Sequence, residues 1–239
     1  MRTLEGINIS KSFKNRVVVD SISIKVNQGE IIGLLGPNGA GKTTTFLMML
    51  GIHSPDKGKI YLNGNDITKL PIYIRARNGI SFLPQEPSIF KGLSVSENIL
   101  AVTDMYSDIK SNNNIDEILS EMGLYELRSR KAYLLSGGER RRLEIARSLI
   151  LSPDFLLLDE PFAGIDPIQI KELQMIIRSF KEKGLGIIIT DHNVREILKI
   201  TDRSYIINKG EIIFQGDSQE LILDRRVKEE YLGKEFRWN

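Results

Sequence analysis

The sequence predicts an α/β fold: a parallel sheet flanked by helices, with a helical subdomain inserted between sheet-forming segments. Three observations predict it. Short continuous apolar runs recur along the chain, as strands buried on both faces of a parallel sheet require. Helical periodicity fills the gaps between several of them at strand–helix–strand spacing. From about residue 87 to 150 the pattern turns mostly helical.

The elements follow in order. SISIKV (21–26) alternates polar and apolar residues and reads as a half-buried strand. GEIIGLLG (29–36) is a continuous apolar run, a strand buried on both faces. TTTFLMML (43–50) reads as a buried helix that ends at Gly51. GKIYLNG and GISFLPQ look like further strands, SVSENILAV and IDEILSEMGL like helices. DFLLLD (154–159) and LGIIIT (185–190) are buried strands with a helix between them. RSYIINKGEIIFQG (203–216) reads as a hairpin turning at Lys209 and Gly210. No internal repeat and no low-complexity segment is present.

The segment LLSGGERRRLEIARSLI (134–150) contains a helix start. Ser136 followed by Glu139 forms a capping box, in which each side chain satisfies the other residue's orphan backbone N–H. Leu143, Ala146, Leu149 and Ile150 recur at helical spacing, and Arg140 stands four residues before Glu144, the spacing of a supporting ion pair. The free N–H groups and dipole of such an N-terminus favour an anion.

Composition narrows the function classes. Lysine and arginine total 33 against 31 acidic residues, a net charge of +2 that is too small to argue for nucleic acid. There is no cysteine, so thiol chemistry is excluded and a reducing compartment fits. The first residues do not resemble a signal peptide, and no apolar run reaches the roughly 18 residues of a membrane span. Work at a membrane would have to proceed through a partner.

GPNGAGKT (36–43) matches G-x-x-x-x-G-K-[ST] and lies between a buried strand and a helix, the context this phosphate-binding loop requires. Gly36, Pro37, Asn38, Gly39, Ala40, Gly41 and Thr44 are expected to bind the phosphate chain, the glycines letting the backbone fold around it so that several N–H groups point inward. Lys42 is expected to reach the β- and γ-phosphates, and the Thr43 hydroxyl to ligate Mg²⁺. At the end of the FLLLD strand, Asp159 suits the Mg²⁺ shell and Glu160 suits an attacking water. Together these point to a nucleotide hydrolase.

The set GPNGAGKT, LSGGE, LLLDEP and TDH, in this order, resembles the nucleotide-binding domain of ABC transporters over essentially the whole chain. The resemblance implies a P-loop NTPase core with an antiparallel N-terminal β-subdomain and an inserted helical signature subdomain. It implies one ATP-binding domain over 1–239: core segments 1–86 and 151–222, helical subdomain 87–150, tail 223–239. It further implies that Ser136, Gly137, Gly138 and Glu139 complete the ATP site of a second copy, so that the working unit is a homodimer. The family usually has glutamine where this chain has Glu139. Gln85 matches the Q-loop, which reaches Mg²⁺ and the attacking water, and His192 the switch histidine that contacts the γ-phosphate. Phe13 matches the aromatic that stacks on adenine, with core packing as the alternative. Asp166 matches the loop crossing the dimer interface, or is a plain helix start before Pro167. His53 reads as a solvated surface residue.

The resemblance also implies two integral membrane subunits docking near Ile89, Phe90 and Leu93, which could equally be subdomain core. Within the family, FLPQEPSIFKGLSV, EPFAGIDP, TDHNVRE and the tail VKEEYLGKEFR resemble the ATPases of lipopolysaccharide export. That places the protein peripherally on the cytoplasmic face of the inner membrane, held there only through partners, with no role for nucleic acid. A branched-chain amino-acid importer ATPase and a soluble non-transport ABC ATPase are the alternatives. Tyr231, Leu232, Phe236 and Trp238 give the tail an apolar content that suggests docking.

Overall fold

A computed structural model describes residues 2–105 and 114–233. Strands β1 (Thr3–Phe13) and β2 (Arg16–Asn27) pair antiparallel. With β4 (Lys57–Leu62) and β5 (Asn65–Asp66) they form a sheet of order β2-β1-β4-β5. The central sheet contains β3 (Ile31–Leu35), β6 (Ile80–Leu83), β7 (Phe155–Asp159), β8 (Gly186–Thr190), β9 (Arg203–Asn208) and β10 (Glu211–Gly216). Its order is β10-β9-β3-β8-β7-β6; the strands from β9 to β6 run parallel and β10 folds back antiparallel at the edge.

The continuous apolar runs have their predicted cause, because every residue of β3, β7 and β8 is buried. Strand alternation sends their side chains into two cores. Ile32, Leu34, Phe155, Leu157 and Ile188 face the antiparallel sheet and α1 (Lys42–Leu50). Ile31, Leu35, Leu156, Leu158, Ile187 and Ile189 join a second core, shared with helices on the other face of the sheet. Of the helices, α3 (Val95–Met105), α4 (Ile115–Glu121), α5 (Gly137–Leu149) and α6 (Pro167–Glu182) lie in it, and α2 (Ile72–Arg77) does not. The turn between β9 and β10 has Lys209 at φ 48° and Gly210 at φ 87°, the pair of left-handed residues that a tight hairpin needs.

Helix α1 starts directly after the GPNGAG loop and ends at Gly51 in the left-handed region. Beyond it, Arg75 on α2 (Ile72–Arg77) is 1 % exposed. Its guanidinium donates to the carbonyls of Met48 and Met49 at 2.8 Å, and to Thr68 and Leu70 at 2.9 Å. Four carbonyls replace the missing carboxylate, and burial still pulls this arginine down to about 10. A Cβ on Gly51 would lie 2.7 Å from Arg75 Nε, so glycine also makes room for the guanidinium.

The capping box predicted at α5 is present, with both the Ser136 and the Glu139 bonds made. The expected Arg140–Glu144 pair is not. Glu144 is buried and pairs instead with Arg141 at 2.9 Å, because Arg141 lies on the buried stripe of the helix with Gly138 and Ile145.

Candidate functional site

The loop between β3 and α1 surrounds a cleft of about 340 Å³. Asn38, Gly39, Ala40, Gly41, Lys42, Thr43 and Thr44 line it together with Val18, Gln85, Glu160 and His192. Gly36 explains why the loop begins with glycine: its φ is 151°, and a Cβ there would lie 2.0 Å from the Ile207 carbonyl oxygen. Lys42 is 7 % exposed and donates to the Gly36 and Pro37 carbonyls at 2.8 and 3.0 Å. Burial lowers its ammonium below the usual lysine range, against the pull of Glu160 and Asp159.

The β7 end supplies two carboxylates. Asp159 is 3 % exposed; burial and then the neighbouring Glu160 push its carboxyl up to about 6, while Lys42, Arg141 and the Thr43 hydroxyl oppose the shift. Glu160 accepts from Gln85 Nε2 at 2.9 Å and faces His192 Nε2 at 2.6 Å. Its backbone is left-handed, with φ 49°, a conformation that costs a non-glycine residue about 1–3 kcal/mol and collects at functional sites. The strain is held from two sides: the Glu160 N–H donates to Thr190 O at 2.8 Å, and Arg141 donates to the Glu160 carbonyl at 2.9 Å.

Arg141 went unnoticed in the sequence as a contributor to this site. Its guanidinium also reaches the carbonyls of Asp159 (2.9 Å), Pro161 (3.2 Å) and Pro84 (3.0 Å). Glu144, its ion-pair partner, accepts from the Ser88 N–H at 2.9 Å. One buried pair on α5 thus grips both the β7 end and both flanks of the segment bearing Gln85. A charge on the buried stripe of an otherwise amphipathic helix was the available signal.

The family model of the ABC transporter matches residues 19–163, more than half of the chain. The chain belongs to the ABC transporter family. As an ABC ATPase it binds and hydrolyses ATP. It is 51 % identical over 235 residues to the lipopolysaccharide export system ATP-binding protein LptB of Acidithiobacillus ferridurans, spanning 98 % of each chain. It is 49 % identical to the protein of that name in Escherichia coli K12, spanning 99 % of this chain and 100 % of the relative. Among solved structures, an ATP-binding cassette in its ADP conformation superposes with a TM-score of 0.86 at 29 % identity, over 98 % of this chain and 99 % of that one. A nucleotide-free cassette superposes with 0.87 at 30 % identity, over 98 % and 100 %.

Within the ABC ATPase the other expected residues fall as follows. Ser136, Gly137, Gly138 and Glu139 are not among the residues lining the cleft. Gly138 packs against α6, where a Cβ would lie 2.2 Å from Gln169 Oε1. Asp166 is exposed and caps α6, accepting from the Ile168 and Gln169 N–H groups. Phe13 is 41 % exposed, which excludes the core reading. His53 is not simply solvated: it is half-buried, with its ring 5.3 Å from that of Phe13. Ile89 lies in the core and Leu93 is half-buried, so of the three residues expected at a docking face only Phe90 is well exposed, at 45 %. Arg147 stacks over its ring at 4.8 Å. Tyr231 and Leu232 pack beside Gly36, Pro37 and His192, and burial raises the Tyr231 hydroxyl to about 12. Phe236 and Trp238 lie outside the described residues.

Among the described residues no group of three or more His, Cys, Asp or Glu side chains is gathered that could hold a metal by itself. That fits Mg²⁺, which is usually held by one or two protein ligands together with substrate phosphates and waters. Thr43 and the buried Asp159, joined by a hydrogen bond, have the oxygen chemistry for it.

The raised Asp159 carboxyl makes a stability prediction for the free protein. Its folded-state value, about 6, exceeds the ordinary 3.8. Ionisation therefore opposes folding fully above about pH 6, and the cost vanishes as pH falls toward 4. Asp159→Asn is expected to stabilise the nucleotide-free protein at pH 7.5 by up to about 3 kcal/mol and to lose that advantage near pH 4, read by thermal unfolding. The same variant is expected to have little ATPase activity.

Proposed function

We propose that this ABC ATPase powers lipopolysaccharide export as a homodimer on the cytoplasmic face of the inner membrane, bound there through two integral membrane subunits. The observation that carries the proposal is near-half identity, end to end, with two lipopolysaccharide export ATPases. No helix among the described residues is long and apolar enough to cross a membrane, which suits a subunit that docks on membrane partners.

In this reading the phosphate loop and Lys42 hold the triphosphate. Gln85 and Thr43, with Asp159, would hold Mg²⁺, which when bound neutralises charge on the β- and γ-phosphate oxygens. Glu160 receives a proton from the attacking water as its oxygen bonds the γ-phosphorus and the bond to the bridging oxygen breaks, giving ADP and phosphate. His192 and Gln85 orient that carboxylate. Ser136, Gly137, Gly138 and Glu139 of a second copy cover the γ-phosphate with a helix N-terminus, and Asp166 stands at the same junction. Closing on ATP and opening after hydrolysis then moves the membrane subunits.

The test is co-purification. The tagged chain is extracted from membranes of its source cell in mild detergent, and its companions are identified by mass spectrometry. Two different membrane subunits with few spans and large extracytoplasmic domains are expected. Many-spanning permeases would make it an importer ATPase, and recovery only with soluble material would defeat the transporter reading.

Phe90 is the exposed apolar candidate for the docking face. Phe90→Ala is expected to reduce partner-stimulated ATPase several-fold while basal ATPase stays within about twofold, since an exposed side chain contributes little to folding. Equal losses in both rates would count against docking.

A further inference from the structure

The C-terminal turn of α1 brings His53 to Phe13. Gly51 and Ile52 N–H groups close on the Met48 and Leu47 carbonyls, and the His53 N–H donates to Leu47 O at 3.1 Å. The loop that follows is strapped to the end of β1. Asp56 accepts from Lys11 Nζ at 2.8 Å and from the Ser12 N–H at 2.7 Å, and its own N–H donates to Ser10 O at 2.8 Å. Lys11 Nζ also donates to Ser54 O at 2.8 Å. This frame holds the His53 ring edge-to-face on Phe13, with centroids 5.3 Å apart and planes at 70°. The Lys11 ammonium stands 5.8 Å from the Phe13 centroid.

The consequence lies in what is left open. Phe13 remains 41 % exposed, and it lies on the strand paired with the one bearing Val18, which lines the phosphate cleft. An exposed phenylalanine at a strand end would ordinarily sample several rotamers. Here its ring is bracketed, and it has no hydroxyl to anchor it. We propose that His53 is a positioning residue that fixes the Phe13 ring so that its exposed surface receives the adenine of ATP. This rests on the reading of Phe13 as the adenine stack. The contact acts on the base and not on the phosphates, so it belongs to nucleotide affinity and selectivity.

The experiment uses the full chain and steady-state ATPase. His53→Leu, which removes the aromatic edge at similar bulk, is expected to raise KM for ATP about threefold with kcat unchanged. His53→Phe is expected to restore KM to within about 1.5-fold, because it keeps the edge-to-face pair. Inhibition by inorganic tripolyphosphate, which has no base, is expected to be the same in all variants. A merely structural role would lower kcat and change tripolyphosphate inhibition as well, and that result overturns the proposal. So does an unchanged KM in His53→Leu. Phe13→Ala separates the two levels: if it raises KM while His53→Leu does not, only the role of His53 falls; if Phe13→Ala leaves KM unchanged, the adenine stack falls and this proposal with it.

Discussion

Glu160→Gln is expected to lower ATP hydrolysis by about three orders of magnitude and to make an ATP-dependent dimer accumulate. An amide of the same shape cannot take the proton of the attacking water. The fold should tolerate the change, because the interactions that hold Glu160 in its left-handed backbone come from main-chain atoms, namely its N–H on Thr190 O and its carbonyl under Arg141. The side chain would still meet Gln85 and His192. Phosphate release measures the rate, and light scattering after size exclusion with MgATP measures the dimer. Turnover near that of the unmodified protein would remove Glu160 from the chemistry; a strictly monomeric species at high protein concentration would remove the shared site.

The second large effect is one of stability. Arg141→Met leaves four carbonyls without their donor and Glu144, 4 % exposed, without its counter-charge. Breaking a buried pair from one side costs about 3–5 kcal/mol, since the surviving charge is stranded. The melting temperature is expected to fall by roughly 10 °C for a chain of this size. Adding Glu144→Gln should recover part of that loss, because glutamine can still accept from the Ser88 N–H while carrying no charge. A melting temperature within about 2 °C of the unmodified protein would show that the network is not a stability element.

What the sequence disclosed and what it withheld divide along a physical line. The buried strands β3, β7 and β8, helix α1 with its Gly51 end, the β9–β10 turn and the α5 capping box all rest on local patterns, and local patterns are visible in one dimension. Strand β1 escaped reading because its burial mixes inward, intermediate and exposed positions, and its pairing with β2 is shifted by irregularities. The phosphate loop was legible as a motif. The joining of Gln85, Glu160 and His192 was legible only through family resemblance, since these residues come from segments far apart in the chain and no spacing rule links them. Arg75 and Arg141 were missed for a different reason. Each is a cation satisfied by backbone carbonyls, and carbonyls leave no mark in a sequence. Arg140 and Arg141 also show that i,i+4 spacing identifies a pair only when both residues face the same environment.

The buried Arg75 has a mechanical consequence. Through one guanidinium it fastens the last carbonyls of α1 to α2. The two helices are thereby joined into one strut. Its near end is Lys42 on the phosphate loop; its far end, roughly 13 Å along α1 by helix rise, is the α2 surface where Ile72 and Tyr73 stand 41 % and 55 % exposed. A movement imposed at the phosphate end would be passed toward Ile72 and Tyr73 through these hydrogen bonds, and a load on these two side chains would be passed back.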